Sequence, residues 1–316
     1  MTLIKKISDG YKIKYYFLGL KVWTKYANRA YEKARKKRFR GLSDAEARCI
    51  LEEQFRVMAG YELNLDNPQS YNEKIQWLKL YYKNPLLTLC ADKVLVRDFI
   101  KNKVGEQYLV PCLGIWKNPD EINFDLLPEK FAIKVNWGSG QNIICHNKEK
   151  LDLQEVRTTL KKWMLPNSNH YYDFLEWCYK DISPLIIAEK YIENADSLID
   201  YKFYAFNGKL EYLLVCGDRS TEVYYDFYDM NMNLLPMKCG GRNSGKALKI
   251  PDCINEMKMV AKILSADFPH VRVDMYVKNG HPFVGELTFY SGNGTDRFYP
   301  VEWDDIFGKH LNIKGL

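Results

Sequence analysis

The stretch that decides this chain runs Arg272-Val273-Asp274-Met275-Tyr276-Val277, then Lys278-Asn279-Gly280, then Phe283-Val284-Gly285-Glu286-Leu287-Thr288. Polar and apolar residues alternate with period two, as on a strand with two unlike faces. Arg272, Asp274 and Tyr276 share one face, and Val271, Val273, Met275 and Val277 share the other. Lys278-Asn279-Gly280 reads as the turn. With a loop of that length, Asp274 lies opposite Val284, and Glu286 is its diagonal neighbour on the same face. Two carboxylates and an arginine then converge on an otherwise apolar hairpin. Carboxylates brought that close repel, and burying them is costly unless a cation sits between them. One or two carboxylates are what Mg²⁺ takes from a protein when it also holds a nucleotide's phosphates. Taken alone, the pattern serves a solvent-facing strand edge with ordinary surface acids equally well.

Composition bounds the alternatives. With 316 residues, 47% hydrophobic and 14% aromatic, the chain can build two domains or one large one and is far from a disordered composition. No run approaches the roughly 18 apolar residues of a membrane span. Met1-Thr2-Leu3-Ile4-Lys5-Lys6 is followed by charge rather than by the apolar core of a signal peptide. The eight cysteines are scattered, with neither a Cys-x-x-Cys pair nor zinc spacing, which reads as reduced, buried, structural thiols in a cytoplasmic protein. The five histidines show no metal spacing and read as structural or surface groups. The net charge of +6 hides an asymmetry: residues 1–40 hold thirteen Lys and Arg against Asp9 and Glu32, giving +11 there and −5 over the remainder. Lys12 to Arg40 mixes cations with Tyr15, Tyr16, Phe17, Val22, Trp23 and Tyr26. A basic helix with an aromatic face there suits either an anionic membrane surface or packing on its own domain. No nucleic-acid reader motif accompanies the charge, so nucleic acid is not expected as a partner.

The organisation is uneven. Residues 1–90 read as a helical region with a basic arm over 1–40. Ser43 with Glu46 and Ser70 with Glu73 have capping-box spacing, and each opens an apolar pattern of helical period. From residue 91 to 316 strands and helices alternate. Phe131–Val135, Pro184–Ala188, Asp200–Phe206, Leu210–Cys216 and the final hairpin are the strands, with a helix from about Cys253 to Ser265. The class is α+β.

Three glycine-rich stretches compete for phosphate. Gly240-Gly241-Arg242-Asn243-Ser244-Gly245-Lys246 has P-loop spacing, but Ala247 stands where the Mg²⁺-binding hydroxyl belongs and Pro251 crowds the helix that must follow. Ser291-Gly292-Asn293-Gly294 directly follows the Glu286 strand and suits a substrate loop. In Phe131-Ala132-Ile133-Lys134-Val135-Asn136-Trp137-Gly138-Ser139-Gly140, a strand delivers Lys134 and then a loop with free amides. An ammonium in such an apolar run needs an anionic partner, unless it snorkels to solvent at a strand edge.

Taken in order, Asp92-Lys93, Ile133-Lys134 with its glycine flap, Glu189-Lys190-Tyr191-Ile192, Arg272-x-Asp274 and Glu286 resemble the ATP-grasp fold, two α+β lobes that clamp ATP. Tyr71-Asn72-Glu73-Lys74-Ile75-Gln76-Trp77, Cys90 to Lys93, Asp200 to Tyr204, Phe206-Asn207-Gly208 and Phe298 to Asp304 extend the resemblance over about residues 70–310 to its TupA-like branch, found with teichuronopeptide and capsular-polysaccharide synthesis. The resemblance implies ATP and Mg²⁺ as cofactors. Lys93 and Lys134 would grip the phosphates, and Gly138, Ser139 and Gly140 would close over them. Glu189 would take the adenine amino group, the Ile192 backbone a ring nitrogen, and Asp196 the ribose. Asp274 and Glu286 would ligate Mg²⁺, with Thr288 where an Asn is usual and Asn293 available to complete the set. Lys202 is a further phosphate candidate, although cross-strand pairing with Glu211 would also explain it.

The chemistry so implied turns a carboxylate into an acyl phosphate, which an amine then attacks. Arg272 would stabilise the oxyanion. Arg219, Arg242 and Arg297 are the forks suited to the substrate carboxylate. The resemblance points to a hexuronic acid, as a sugar nucleotide or glycan unit, and an amino acid or small amine, with the enzyme cytoplasmic or peripheral at the inner membrane face. A capsule glycosyltransferase would use the carboxylate pair but not Lys93, Lys134 and the flap. A nucleotide-binding scaffold without turnover would account for Thr288.

Overall fold

In the computed structural model the described residues are 4–8, 12–17, 20–26, 39, 41–165, 168–192, 199–217, 223–245 and 250–316. They fall into two units, Met1–Leu63 and Asn64–Leu316. The first holds three antiparallel strands, β1 (Ile4–Ser8), β2 (Lys12–Phe17) and β3 (Leu20–Tyr26), in the order β1-β2-β3, and then helix α1 (Asp44–Met58). The segment from Lys12 is therefore strand over Lys12–Phe17 and Leu20–Tyr26, where the sequence suggested a helix. Its β-branched and aromatic residues favour extended backbone, and Lys12-Ile13-Lys14-Tyr15 already alternates with period two. Over α1 the expectation holds: Ser43 caps it, and Glu46 reaches back to the Ser43 amide at 3.0 Å.

The second unit opens with α2 (Tyr71–Tyr81), α3 (Pro85–Ala91) and α4 (Val96–Val104). Ser70 and Glu73 form the capping box of α2. These helices group with the residues that follow rather than with the N-terminal unit. The first sheet contains β4 (Cys112–Trp116), β5 (Phe131–Val135), β6 (Asn142–Cys145) and β7 (Ile186–Lys190), antiparallel in the order β4-β7-β5-β6. Helix α5 (Leu153–Trp163), which packs on β5, and the short α6 (Tyr171–Phe174) lie between β6 and β7 in sequence.

The second sheet contains β8 (Asp200–Phe206), β9 (Lys209–Gly217) and β10 (Tyr224–Asp229), followed by the short β11 (Lys238–Cys239) and helix α7 (Ile254–Ser265). It is completed by β12 (His270–Lys278) and β13 (His281–Thr288), giving the antiparallel order β10-β9-β8-β12-β13. Strand β14 (Phe298–Tyr299) pairs with β11, and α8 (Glu302–His310) packs against α2. Helix α7 lies on β8, β9 and β12, and its Met257, Val260, Ala261 and Leu264 are fully buried, as are Val271 and Val273 on β12. One continuous core runs through both sheets. The opposite face of β12 is left for polar residues.

The β12–β13 hairpin departs from the expected register. Asn279 (φ 52°) and Gly280 (φ 77°) form a two-residue turn with both residues left-handed, the geometry that matches strand twist. A bulge then falls between Asp274 and Met275, with Gly285 as the extra residue of β13. Asp274 thus pairs directly with Glu286 rather than with Val284. Five cysteines are buried and Cys253 is half-buried, but Cys49 and Cys112 are exposed, and all eight are free thiols. Among the described residues no helix is long and apolar enough to cross a membrane.

Candidate active site

The pairing of β8, β12 and β13 brings Lys202, Asp274 and Glu286 into one row. Arg272, two residues earlier on the same face, closes a fork on Asp274: Nε donates to Oδ1 at 2.6 Å and Nη2 to Oδ2 at 2.8 Å. Lys202 Nζ donates to the same Oδ2 at 2.5 Å. Its partner is therefore Asp274 and not Glu211, which instead meets Lys209 at 2.6 Å. Three acids and two cations (Asp200 lies 3.7 Å from Lys202) satisfy one another across three strands. Glu286 meets Lys93 at 3.3 Å and Arg272 at 4.0 Å. Burial would raise the Glu286 pKa, but Lys93, Lys202 and Arg272 outweigh it and bring it down to about 2. Its side chain is still 37% exposed, so solvent screens part of that pull.

Lys93 is placed by its neighbours. The buried Asp92 carboxylate accepts from the Val94 amide at 2.8 Å and from Asn136 Nδ2 at 2.8 Å. The Lys93 amide donates to the Asn136 carbonyl at 3.0 Å. Asn136, fully buried at the end of β5, thereby fixes the Lys93 loop to the strand that carries Lys134. Lys134 finds the anionic partner that its apolar run requires in Glu189 on β7, at 2.6 Å. Arg97 takes the other Glu189 oxygen at 3.0 Å. After β5 comes the loop with Gly138, Ser139 and Gly140, the last at φ 69°, before β6 returns.

Two cavities flank this arrangement. One of about 260 Å³ has Lys93, Gly138, Ser139, Arg272, Glu286, Thr288 and Asn293 in its wall. The other, of about 400 Å³, is bounded by Leu109, Val110, Pro111, Lys190, Tyr191, Ile192, Lys278 and Phe283. A third cavity, about 600 Å³ around Pro236, Met237 and Tyr299, contains none of the proposed ligands.

Thr288 Oγ1 accepts from Arg272 and donates to Glu286, each at 3.3 Å. The donor set of Asp274, Glu286 and Thr288 fits a hard divalent ion that shares its sphere with phosphate oxygens. Among the described residues no group of three or more His, Cys, Asp or Glu could hold a metal alone. Asn293 is in the cavity wall, but Lys79 holds both its backbone carbonyl and its Oδ1, which turns the amide oxygen away from the metal role considered for it. Arg242 and Arg297 are exposed and line none of these cavities. Arg219 and Asp196 lie outside the described residues.

A family profile described as TupA-like ATPgrasp matches residues 73–312. The chain belongs to the TupA-like ATP-grasp family. Its fold is the α+β ATP-grasp fold. Among solved structures it is similar to D-alanine--D-alanine ligase from Bacillus anthracis, at 20% identity over 65% of this chain and 59% of that one, TM-score 0.40. It is also similar to an L-amino acid ligase from Bacillus licheniformis, at 15% identity over 76% and 53%, TM-score 0.45. A third is D-Ala-D-Ala ligase from Helicobacter pylori, at 13% identity over 77% and 70%, TM-score 0.40. The chain spans 59% of the length of the first of these, and at such scores the likeness adds nothing to the family assignment. No curated protein matches it.

This TupA-like protein also holds site residues that its sequence did not mark. Lys79 on α2 is 3% exposed, and burial lowers its pKa to about 7. It donates to Gln76 Oε1 at 3.2 Å as well as to Asn293. Ser291 receives Arg272 Nη1 at 2.8 Å and shares a hydrogen bond with the Tyr204 hydroxyl at 2.9 Å, steadying the guanidinium. His170, expected to be structural or on the surface, lines the smaller cavity and accepts the Ser139 amide at 3.3 Å. Glu176, Tyr179 and Tyr290 line it too. The capping box at Ser70 and the Gln76 and Lys79 spacing place this face of α2, but only the fold says what it meets.

Proposed function

We propose that this protein is an ATP-dependent carboxylate–amine ligase. The observation that carries the reading is the convergence of Lys93, Lys202 and Arg272 on Asp274 and Glu286 beside the Gly138–Gly140 loop. ATP lies with its base in the cavity at Lys190, Tyr191 and Ile192 and its phosphates between Lys93 and Lys134, with Gly138, Ser139 and Gly140 over them. Glu189 keeps lone pairs for the adenine amino group while orienting Lys134. Asp274, Glu286 and Thr288 would hold Mg²⁺, which when bound would neutralise phosphate charge.

A substrate carboxylate attacks the γ-phosphorus, ADP leaves, and an acyl phosphate forms. The neutral amine then adds to the carbonyl carbon, phosphate departs with the electron pair of the C–O bond, and the nitrogen gives up one proton to solvent, keeping the other as the amide N–H. Arg272, fixed by Asp274 and Ser291, presents a rigid cation to the oxyanion of the tetrahedral intermediate. Lys202 adds positive charge where phosphoryl transfer concentrates negative charge. No side-chain nucleophile is required.

The substrate class follows the family's setting, an associational warrant. It is a hexuronic acid, as a sugar nucleotide or glycan unit of a capsular polysaccharide, joined to an amino acid or small amine in the cytoplasm. Arg219, Arg242 and Arg297 remain the forks proposed for its carboxylate, Asn293 belongs to the same substrate loop, and Asp196 is proposed for the ribose. The basic residues 1–40 would hold the enzyme at an anionic membrane surface.

The test is phosphate release from ATP with hexuronates and amines supplied singly and together. Release only with both supports the ligase. Sugar-nucleotide cleavage without ATP would make the protein a glycosyltransferase, and ATP binding without turnover on any pair would make it a scaffold.

A further inference from the structure

The smaller cavity has a wall that the scheme above leaves unused. Glu176, in the segment between α6 and β7, lines it and is only 7% exposed. Among the described residues its carboxylate has one charged neighbour within 4.0 Å, His170 Nδ1 at 3.9 Å, beyond hydrogen-bond reach. His170 uses its other nitrogen to accept the Ser139 amide, so its neutral ring carries the proton on Nδ1. Lys79 is buried close by, but its ammonium donates to Gln76 and Asn293 instead. Burial accordingly raises the Glu176 pKa, against the pull of His170 and Lys79.

A carboxylate this buried without a hydrogen-bond donor is costly, and among the described residues His170 and Lys79 offset only part of that cost. Three rings, Phe174, Tyr179 and Tyr290, line the same cavity, and the buried Tyr290 hydroxyl also lacks a hydrogen-bond partner. A carboxylate, a free hydroxyl and aromatic faces together are complementary to an ammonium group, which offers three N–H donors and a cation for ring faces.

We infer that Glu176, with Phe174, Tyr179 and Tyr290, forms the site for the cationic amine co-substrate, in the cavity it shares with Arg272 and Glu286. Its part in amide formation rests on the ligase reading, but its affinity for ammonium does not. The amine is therefore selected in its charged form, before it reacts.

The experiment titrates full-length protein with ethylammonium, ethanolamine and glycinamide by ligand-observed NMR, with ethane-1,2-diol as the uncharged control. Wild type should bind at least one ammonium saturably and the diol not at all. Glu176→Gln, nearly isosteric, should weaken that binding at least about tenfold, the range for a hydrogen bond to a charged group. Glu176→Asp keeps the charge and should retain part of it. All three proteins should bind a non-hydrolysable ATP analogue with Mg²⁺ equally, which also reports that they fold. Glu176→Gln binding ammonium like wild type, or no saturable ammonium binding to wild type, overturns the inference. Loss of nucleotide binding from all three would instead overturn the ligase reading and leave the ammonium site standing.

Discussion

Asp274→Asn and Glu286→Gln remove the two carboxylates proposed to hold the metal, but the structure predicts that they differ in stability. Asp274 is 6% exposed and accepts three charge-assisted hydrogen bonds, two from Arg272 and one from Lys202, whose side chains are 14% and 15% exposed. Asparagine keeps the shape but offers at most one acceptor oxygen, and its NH₂ must face a cation's N–H. Breaking a buried pair in this way costs about 3–5 kcal/mol. Glu286, 4.0 Å from Arg272, absorbs part of the uncovered charge, so a value of about 3 kcal/mol is expected. Glu286→Gln uncouples a carboxylate that is 37% exposed, a loss of about 1 kcal/mol or less. Both should reduce ATP-dependent turnover at least about 100-fold through loss of a metal ligand. Urea unfolding without nucleotide, beside calorimetric titration with ADP and Mg²⁺, separates the two effects. If Asp274→Asn unfolds at the wild-type midpoint, Asp274 does not organise the buried cations. If both variants bind Mg²⁺-ADP normally, the metal assignment is wrong.

Lys134→Ala should raise the ATP requirement more than that for either co-substrate, as steady-state kinetics would register; a change confined to the amine or carboxylate dependence would contradict the two-lysine grip. Lys79 has its pKa lowered by burial to about 7 from 10.5, so between those values the unfolded chain binds more protons and stability rises with pH. That rise should be missing in Lys79→Met, which unfolding midpoints at pH 7 and 10 would reveal. Gly294→Ala places a methyl 2.6 Å from Ile75 Cγ2 on backbone at φ 61°, and should cost about 1–3 kcal/mol in the same assay.

The polar face of β12 and both capping boxes were legible because each depends on spacing within one segment. Phe131–Val135 and Asp200–Phe206 were bounded correctly for the same reason. The hairpin register differs from the expected one by one residue between turn and bulge and by two at Asp274: a two-residue turn and a bulge at Gly285 cannot be told from a three-residue turn by counting alternation. In the N-terminal segment, residues that the sequence suggested as one helix fall on strands β2 and β3 where they are described. Lys79 and Glu176 were missed for another reason. Nothing distinguishes a helix-surface lysine or a loop glutamate until the Asn293 loop or the aromatic wall closes over it. Arg97 was likewise invisible, since its partner Glu189 is 92 residues away.

Strand β13 reaches both cavities, with Phe283 at one and Glu286 and Thr288 at the other. Three residues of extended chain cover roughly 10 Å. If a nucleotide lies along it, the strand works as a ruler, with the base measured at Phe283 and the far phosphates at Glu286. AMP would fill the first mark and fall short of the second, gaining the ring contacts but neither carboxylate-bound metal nor Lys93. Discrimination among adenine nucleotides would then come from length along a single strand.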